Sequence, residues 1–142
     1  MAKLTAGQFA VSECVFKVKV QNSYVTIADI EEIGLSIEND TKKWYSITDG
    51  GWQNALLTGK AFSGSFKGKR TLGDVGNDYI DSLRLNIGKA AEADFKVEFP
   101  NGATLEFTAI VGLNDILGEA TDVVPLSGDL TGKGKPKFTP AS

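Results

Sequence analysis

Histidine is missing from this sequence of 142 residues, which removes the commonest general base and the commonest protein ligand for zinc, copper and non-haem iron. Hydrolase triads built on histidine are thereby excluded. Cysteine occurs once, at Cys14, so neither an intrachain disulfide nor a multi-thiolate metal site can form within one chain. A lone cysteine inside an alternating apolar run is expected as a half-buried strand residue. No apolar run approaches the ~20 residues of a membrane-spanning helix, and the opening MAKLTAGQFA lacks the apolar segment of a signal peptide. No excess of positive charge exists either. The 15 basic residues are outnumbered by 18 acidic ones, and Lys133, Lys135 and Lys137 near the C-terminus leave the remaining body more acidic still. General nucleic-acid binding needs a strongly basic face, and this balance speaks against it.

The sequence does contain a composition of 42% hydrophobic and 23% charged residues, ordinary for one globular domain. Sixteen glycines against four prolines favour a turn-rich, mainly β chain. Alternation is the dominant pattern. Cys14, Phe16, Val18 and Val20 alternate with Lys17 and Lys19, and Ile33, Leu35 and Ile37 alternate with Glu32, Ser36 and Glu38. A short strand is expected over Tyr24 to Ala28. Phe95, Val97 and Phe99 are mirrored by Leu105, Phe107 and Ala109 across Pro100-Asn101-Gly102, a hairpin signal expected to form a type I′ turn at Asn101-Gly102. A last strand is expected from about Ala120 to Leu130.

The stretch GKAFSGSFKGKR, residues 59–70, mixes glycines with basic residues as a phosphate loop does. Its spacing is wrong for that: three residues separate Gly64 from Gly68, and Lys69 is followed by Arg70 where a serine or threonine is required. Its period is two, with Phe62 and Phe66 on one face, so it reads as a strand. One helix is expected over about 77–87, with Asn77 as its cap, Gly88 as its stop, and Tyr79, Ile80, Leu83 and Ile87 as one apolar stripe packed on a sheet. The carboxylates Asp29, Glu31, Glu32, Asp74, Asp78 and Asp81 fall at a turn and a helix start, where solvation and the helix dipole account for them. No catalytic residue, metal ligand or cofactor site is expected.

Residues 40–58 carry no clear period and read as a long loop containing Asp40, Lys43, Trp44, Tyr45 and Trp52, with room for one short extended piece over Lys43 to Ile47. A connection of that length is uncommon in a compact domain unless it binds or assembles. Aromatic residues on such a loop suit an interface, because they bury much area for little lost entropy. The reading is therefore a mainly β protein with one helix packed on a sheet. It divides into an N-terminal arm over 1–12, a single domain over 13–130 and a C-terminal tail over 131–142.

Two segments, SIENDTKKWYSITDGGWQNALLTGKAFSGSFKGKRTLGDVGNDYIDSL and FPNGATLEFTAIV, resemble the major tail tube proteins of long-tailed bacteriophages and of phage-tail-like bacteriocins, over about residues 13–130. That resemblance implies a β-sandwich or half-open barrel with one flanking helix, in homo-hexameric rings stacked into a hollow tube, with DNA passing transiently through the lumen, or a membrane-piercing conduit in a bacteriocin. It implies that loop 40–58 reaches the adjacent ring and that Ile33, Leu35, Ile37, Phe62 and Phe66 belong to inner-sheet strands, with the helix outside. It also implies terminator, tape measure, and baseplate or distal tail proteins as partners, no membrane anchor, and a place in a virion tail or bacteriocin particle after synthesis in the host bacterial cytoplasm. The other reading of the residues is a monomeric β-sandwich module for a carbohydrate or another ligand, with Trp44, Tyr45 and Trp52 as a stacking platform.

Overall fold

A computed structural model describes residues 6–141. Residues 1–5 of the expected N-terminal arm and the last residue of the tail lie outside them. Eight strands form one antiparallel sheet: β1 (Val15–Val20), β2 (Ser23–Thr26), β3 (Ile30–Tyr45), β4 (Gln53–Lys69), β5 (Glu92–Glu98), β6 (Thr104–Leu113), β7 (Pro125–Gly132) and β8 (Lys137–Thr139). Their order across the sheet is β2-β1-β5-β6-β7-β4-β3, and β8 pairs with the start of β6 beyond the end of β7. Helix α1 (Val75–Ser82) packs against β1 and β2. The architecture is a curled half-barrel with one helix.

Alternation explains the core. Phe16 and Val18 of β1, Ala93, Phe95 and Val97 of β5, Phe107, Ala109 and Val111 of β6, Leu126 and Leu130 of β7, and Phe62 and Phe66 of β4 all face one side and are buried together. Phenylalanines cross this face in a row, with Phe16 stacked on Phe95 and Phe95 on Phe107, each pair at 5.4 Å between ring centroids. Phe62 of β4 then meets Phe107 of β6 at 4.8 Å, although β7 lies between those strands in the sheet. Gly132 of β7 makes that contact possible: a Cβ there would sit 2.3 Å from the Phe62 carbonyl oxygen. Gly64 has the same role one strand over, where a Cβ would lie 2.6 Å from Leu35 Cδ2. These glycines let the concave face close on itself.

Several expected boundaries are corrected. Residues 40–58 are not a loop: β3 and β4 run on as a paired ribbon to Tyr45 and Gln53, leaving only 46–52 as a turn. The ribbon has no core face, so selection for alternation is absent and its period was invisible. The helix spans Val75–Ser82, not 77–87, and Asp74 caps it by accepting from the Asn77 backbone N–H at 2.9 Å. Gly88 opens a separate 3₁₀ turn, Gly88–Ala91, and Ile87 is exposed. The last long strand begins at Pro125, after an irregular segment, and continues to Gly132. The expected tail contributes β8, whose Phe138 ring lies 6.5 Å from that of Phe99.

Positive φ at both central residues of a two-residue turn occurs at Gln21 (49°) and Asn22 (69°), between β1 and β2. At the Pro-Asn-Gly turn only Gly102 is positive (94°), and its N–H donates to the Phe99 carbonyl at 3.0 Å. Proline suits the second position of a turn that is completed by a glycine bulge, and that geometry replaces the expected type I′ turn.

Candidate assembly surfaces

Beyond the core, β3 and β4 extend as an arm in which Thr41 pairs with Leu57, Lys43 with Ala55, Trp44 with Asn54 and Tyr45 with Gln53. A bulge at Thr58 separates the arm from the barrel, and the Thr58 hydroxyl donates to the Asp40 carbonyl at 3.1 Å. The turn is ordered locally. Ser46 accepts from the Thr48 N–H, Asp49 accepts from the Asn54 side chain, and Gly50 and Gly51 take left-handed φ values of 62° and 90°. Its apolar groups find nothing to pack on: Ile47 is 99% exposed, Trp52 80% and Tyr45 68%. Trp44 is also exposed. Asp40, Lys43, Trp44, Tyr45 and Trp52 thus all lie on this arm, the first four in a paired strand where a loop was expected.

Trp44 and Tyr45 are consecutive in a strand and point to opposite faces of the ribbon. They do not form one flat platform. This geometry gives no support to a ligand module that uses them side by side.

The strands that carry the arm have two unlike faces. Ile33, Leu35, Ile37, Phe62 and Phe66 share the core side, where Phe62 and Phe66 are buried, Ile33 and Leu35 are half-buried and Ile37 is exposed near the root of the arm. The opposite face is polar and made of small residues: Ser36 stands across from Ser63, Gly34 from Ser65, Glu38 from Ala61 and Glu32 from Lys67. It continues onto β7 through Ser127, Asp129 and Thr131. No aromatic side chain interrupts it. The outer edge of β3 has no strand partner among the described residues and carries no proline over its whole length.

Of the three basic residues at the end of β4, Lys69 and Arg70 form ion pairs and Lys67 forms none among the described residues. Lys67 stands opposite Glu32, Lys69 pairs with Glu31 at 3.1 Å, and Arg70 turns away to the helix. There Arg70 meets Asp78 at 2.7 Å and Asp81 at 3.4 Å.

Asn77 is the buried centre of this junction. Its side-chain oxygen accepts from Arg70 Nη1 and the Thr71 N–H, both at 2.9 Å, and its Nδ2 donates to the Ala28 and Lys69 carbonyls, both at 3.0 Å. All four of its hydrogen-bonding positions are filled, so it joins helix α1 to the start of β3 and the end of β4. Sequence reasoning saw a cap at this position and missed the junction, because two of its partners lie 49 and 8 residues earlier in the chain, on segments that only the fold brings together. Ile80 and Leu83 are buried beneath the helix, and Tyr79 packs at the edge of the core.

Among the described residues no group of three or more histidine, cysteine, aspartate or glutamate side chains is placed to hold a metal ion. No described helix is long and apolar enough to cross a membrane. Burial, reinforced by the charge of Glu13, raises the thiol pKa of Cys14. Burial also raises the phenol of Tyr24, with Glu106 and Asp94 adding to the effect.

No protein-family model matches the sequence, and no curated protein does. Solved structures do. A chain in the C6-symmetric tail of an empty GTA particle superimposes with a TM-score of 0.77 at 17% identity, over 94% of this chain and 100% of that one. A chain of the SPP1 tail tube gives 0.67 at 12% identity, over 92% and 78%. A chain of the sheath–tube complex of PVC, an extracellular contractile injection system, gives 0.63 at 16% identity, over 93% and 91%. Identities this low speak to architecture: the curled half-barrel with one helix is the fold that this chain shares with the SPP1 tail tube and with chains of the GTA and PVC particles.

Proposed function

We propose that this chain is the subunit of a tail tube, in which six copies close a ring and the rings stack around a bore through which DNA passes. The observation that carries the reading is the arm, whose apolar tip has no partner within its own chain, on a fold shared with a six-fold symmetric tail. The bare edge of β3 supports it. Exposed edges invite strand addition, and a closed ring of copies satisfies them. In this assembly the small polar face of β3, β4 and β7 lines the bore. Each cation that meets a phosphate releases counterions and adds affinity, so a surface whose lysines stand beside Glu31 and Glu32 lets a polyanion slide.

The role is structural and non-enzymatic, and the place of the protein is a tail particle made in a bacterial cytoplasm. Its tail partners in this reading are a terminator, a tape measure, and a baseplate or distal tail protein. Negative-stain microscopy of concentrated protein tests the reading. Rings with a central hole, or tubes, are expected; monomers alone at every concentration, with other tail proteins present, would overturn it.

A further inference from the structure

A groove of about 530 Å³ opens at the root of the arm, on the core side of the sheet. Ile37, Leu57 and Phe62 form its apolar wall, and the link from β7 to β8, through Gly134 and Pro136, forms the other. Its size falls within the range that receives a bulky group of about side-chain to ligand dimensions. Ile37 and Leu57 are 55% and 46% exposed there, so the wall is unfilled within one chain.

The tip of the same arm carries the complementary shape. Trp52 and Ile47 project from it, and Asp49 is the one ionisable residue of turn 46–52, whereas Lys60 and Lys135 border the groove. Trp52 lies five residues along β4 from Leu57, roughly 16 Å in an extended strand. The ribbon between them is paired without a break from Thr41 and Leu57 to Tyr45 and Gln53, which holds the tip away from the groove of its own chain. Knob and groove on one chain can therefore meet only between copies.

We propose that the groove receives the arm tip of a second copy, with Trp52 and Ile47 inserted against Leu57 and Phe62 and Asp49 beside Lys60 and Lys135. The inference rests on the tube reading and deepens it by naming the surface on which the arm lands. Because the two patches differ, the contact is heterologous, so it can link copy to copy in a continuing series, as stacking along an axis requires.

The test places Gln53→Cys and Lys135→Cys together in a Cys14→Ser chain and treats assembled protein with a short bis-maleimide. A ladder of two, three and more linked chains is expected from the double variant and from neither single one. Tubes without a ladder would overturn the groove and leave the tube reading intact; a product that stops at two chains would overturn the repeating contact. Monomers alone would overturn both. In a second variant, Leu57→Glu, unstacked rings with an unchanged melting temperature are expected, and normal tubes from it would overturn the inference.

Discussion

The barrel and the arm are built from the same two strands, yet they obey different rules. In the barrel, β3 and β4 bury Phe62 and Phe66 against four other strands, and glycines stand where the curl brings backbones together. In the arm, the same strands bury nothing and present Tyr45, Ile47 and Trp52 to water. An isolated two-stranded hairpin is marginal in water, so the arm keeps its shape because the barrel fixes its root. The apolar area of its tip stays exposed within one chain.

The comparison is broken most severely by removing its rigid half. Phe95→Ala takes out the fully buried ring between Phe16 and Phe107 and is expected to cost about 4 kcal/mol of unfolding free energy. Denaturant titration measures it, and a loss below about 1 kcal/mol would show that the phenylalanine row is not the core's support. Asn77→Ala comes next, at about 3 kcal/mol, because it strands the Thr71 N–H and two carbonyls that its side chain satisfies. Asn77→Asp is expected to be nearly as harmful, since a carboxylate cannot donate to the Ala28 and Lys69 carbonyls.

Trp52→Ala addresses the arm. Its effect on unfolding is expected within about 0.5 kcal/mol, because the side chain touches little of its own chain. Stacking is where the loss should appear, as shorter or absent tubes in micrographs and a smaller particle by light scattering. An unfolded or melted Trp52→Ala protein would contradict the division between barrel and arm. The smallest effect concerns reactivity. The raised pKa of Cys14 lowers its thiolate fraction near neutral pH, so a maleimide should modify it more slowly than a cysteine placed at exposed Lys43 in a Cys14→Ser chain. The gap should narrow as pH rises through the ordinary thiol range, and equal rates at pH 7 would place Cys14 in a more open setting than the fold gives it.

Half of this contrast was legible in the amino-acid order. Alternating apolar residues marked β1, β5, β6 and the barrel part of β3 and β4, because one side of each faces a core and the other faces water. The arm left no such trace. With both faces exposed, its residues obey no period, and a ribbon of backbone hydrogen bonds looked like a loop. The aromatic residues on it were visible, but their splayed directions were not. The hexameric ring, the lumen and the tail partners of the proposed assembly rest on resemblance, not on any residue pattern.

Sequence by itself determined the inventory: no histidine chemistry, one thiol, an acidic body, a β period and one short helix. Those follow from composition and from local alternation, which need no knowledge of distant contacts. Tertiary structure decided the rest. It placed Gly132 beneath Phe62, assigned Asn77 to four partners on two segments, turned Arg70 from the strand face to the helix, and drew the tip of the arm away from the groove at its root. Each of these depends on which strands lie side by side after the sheet curls, and curl is a property of the whole sheet.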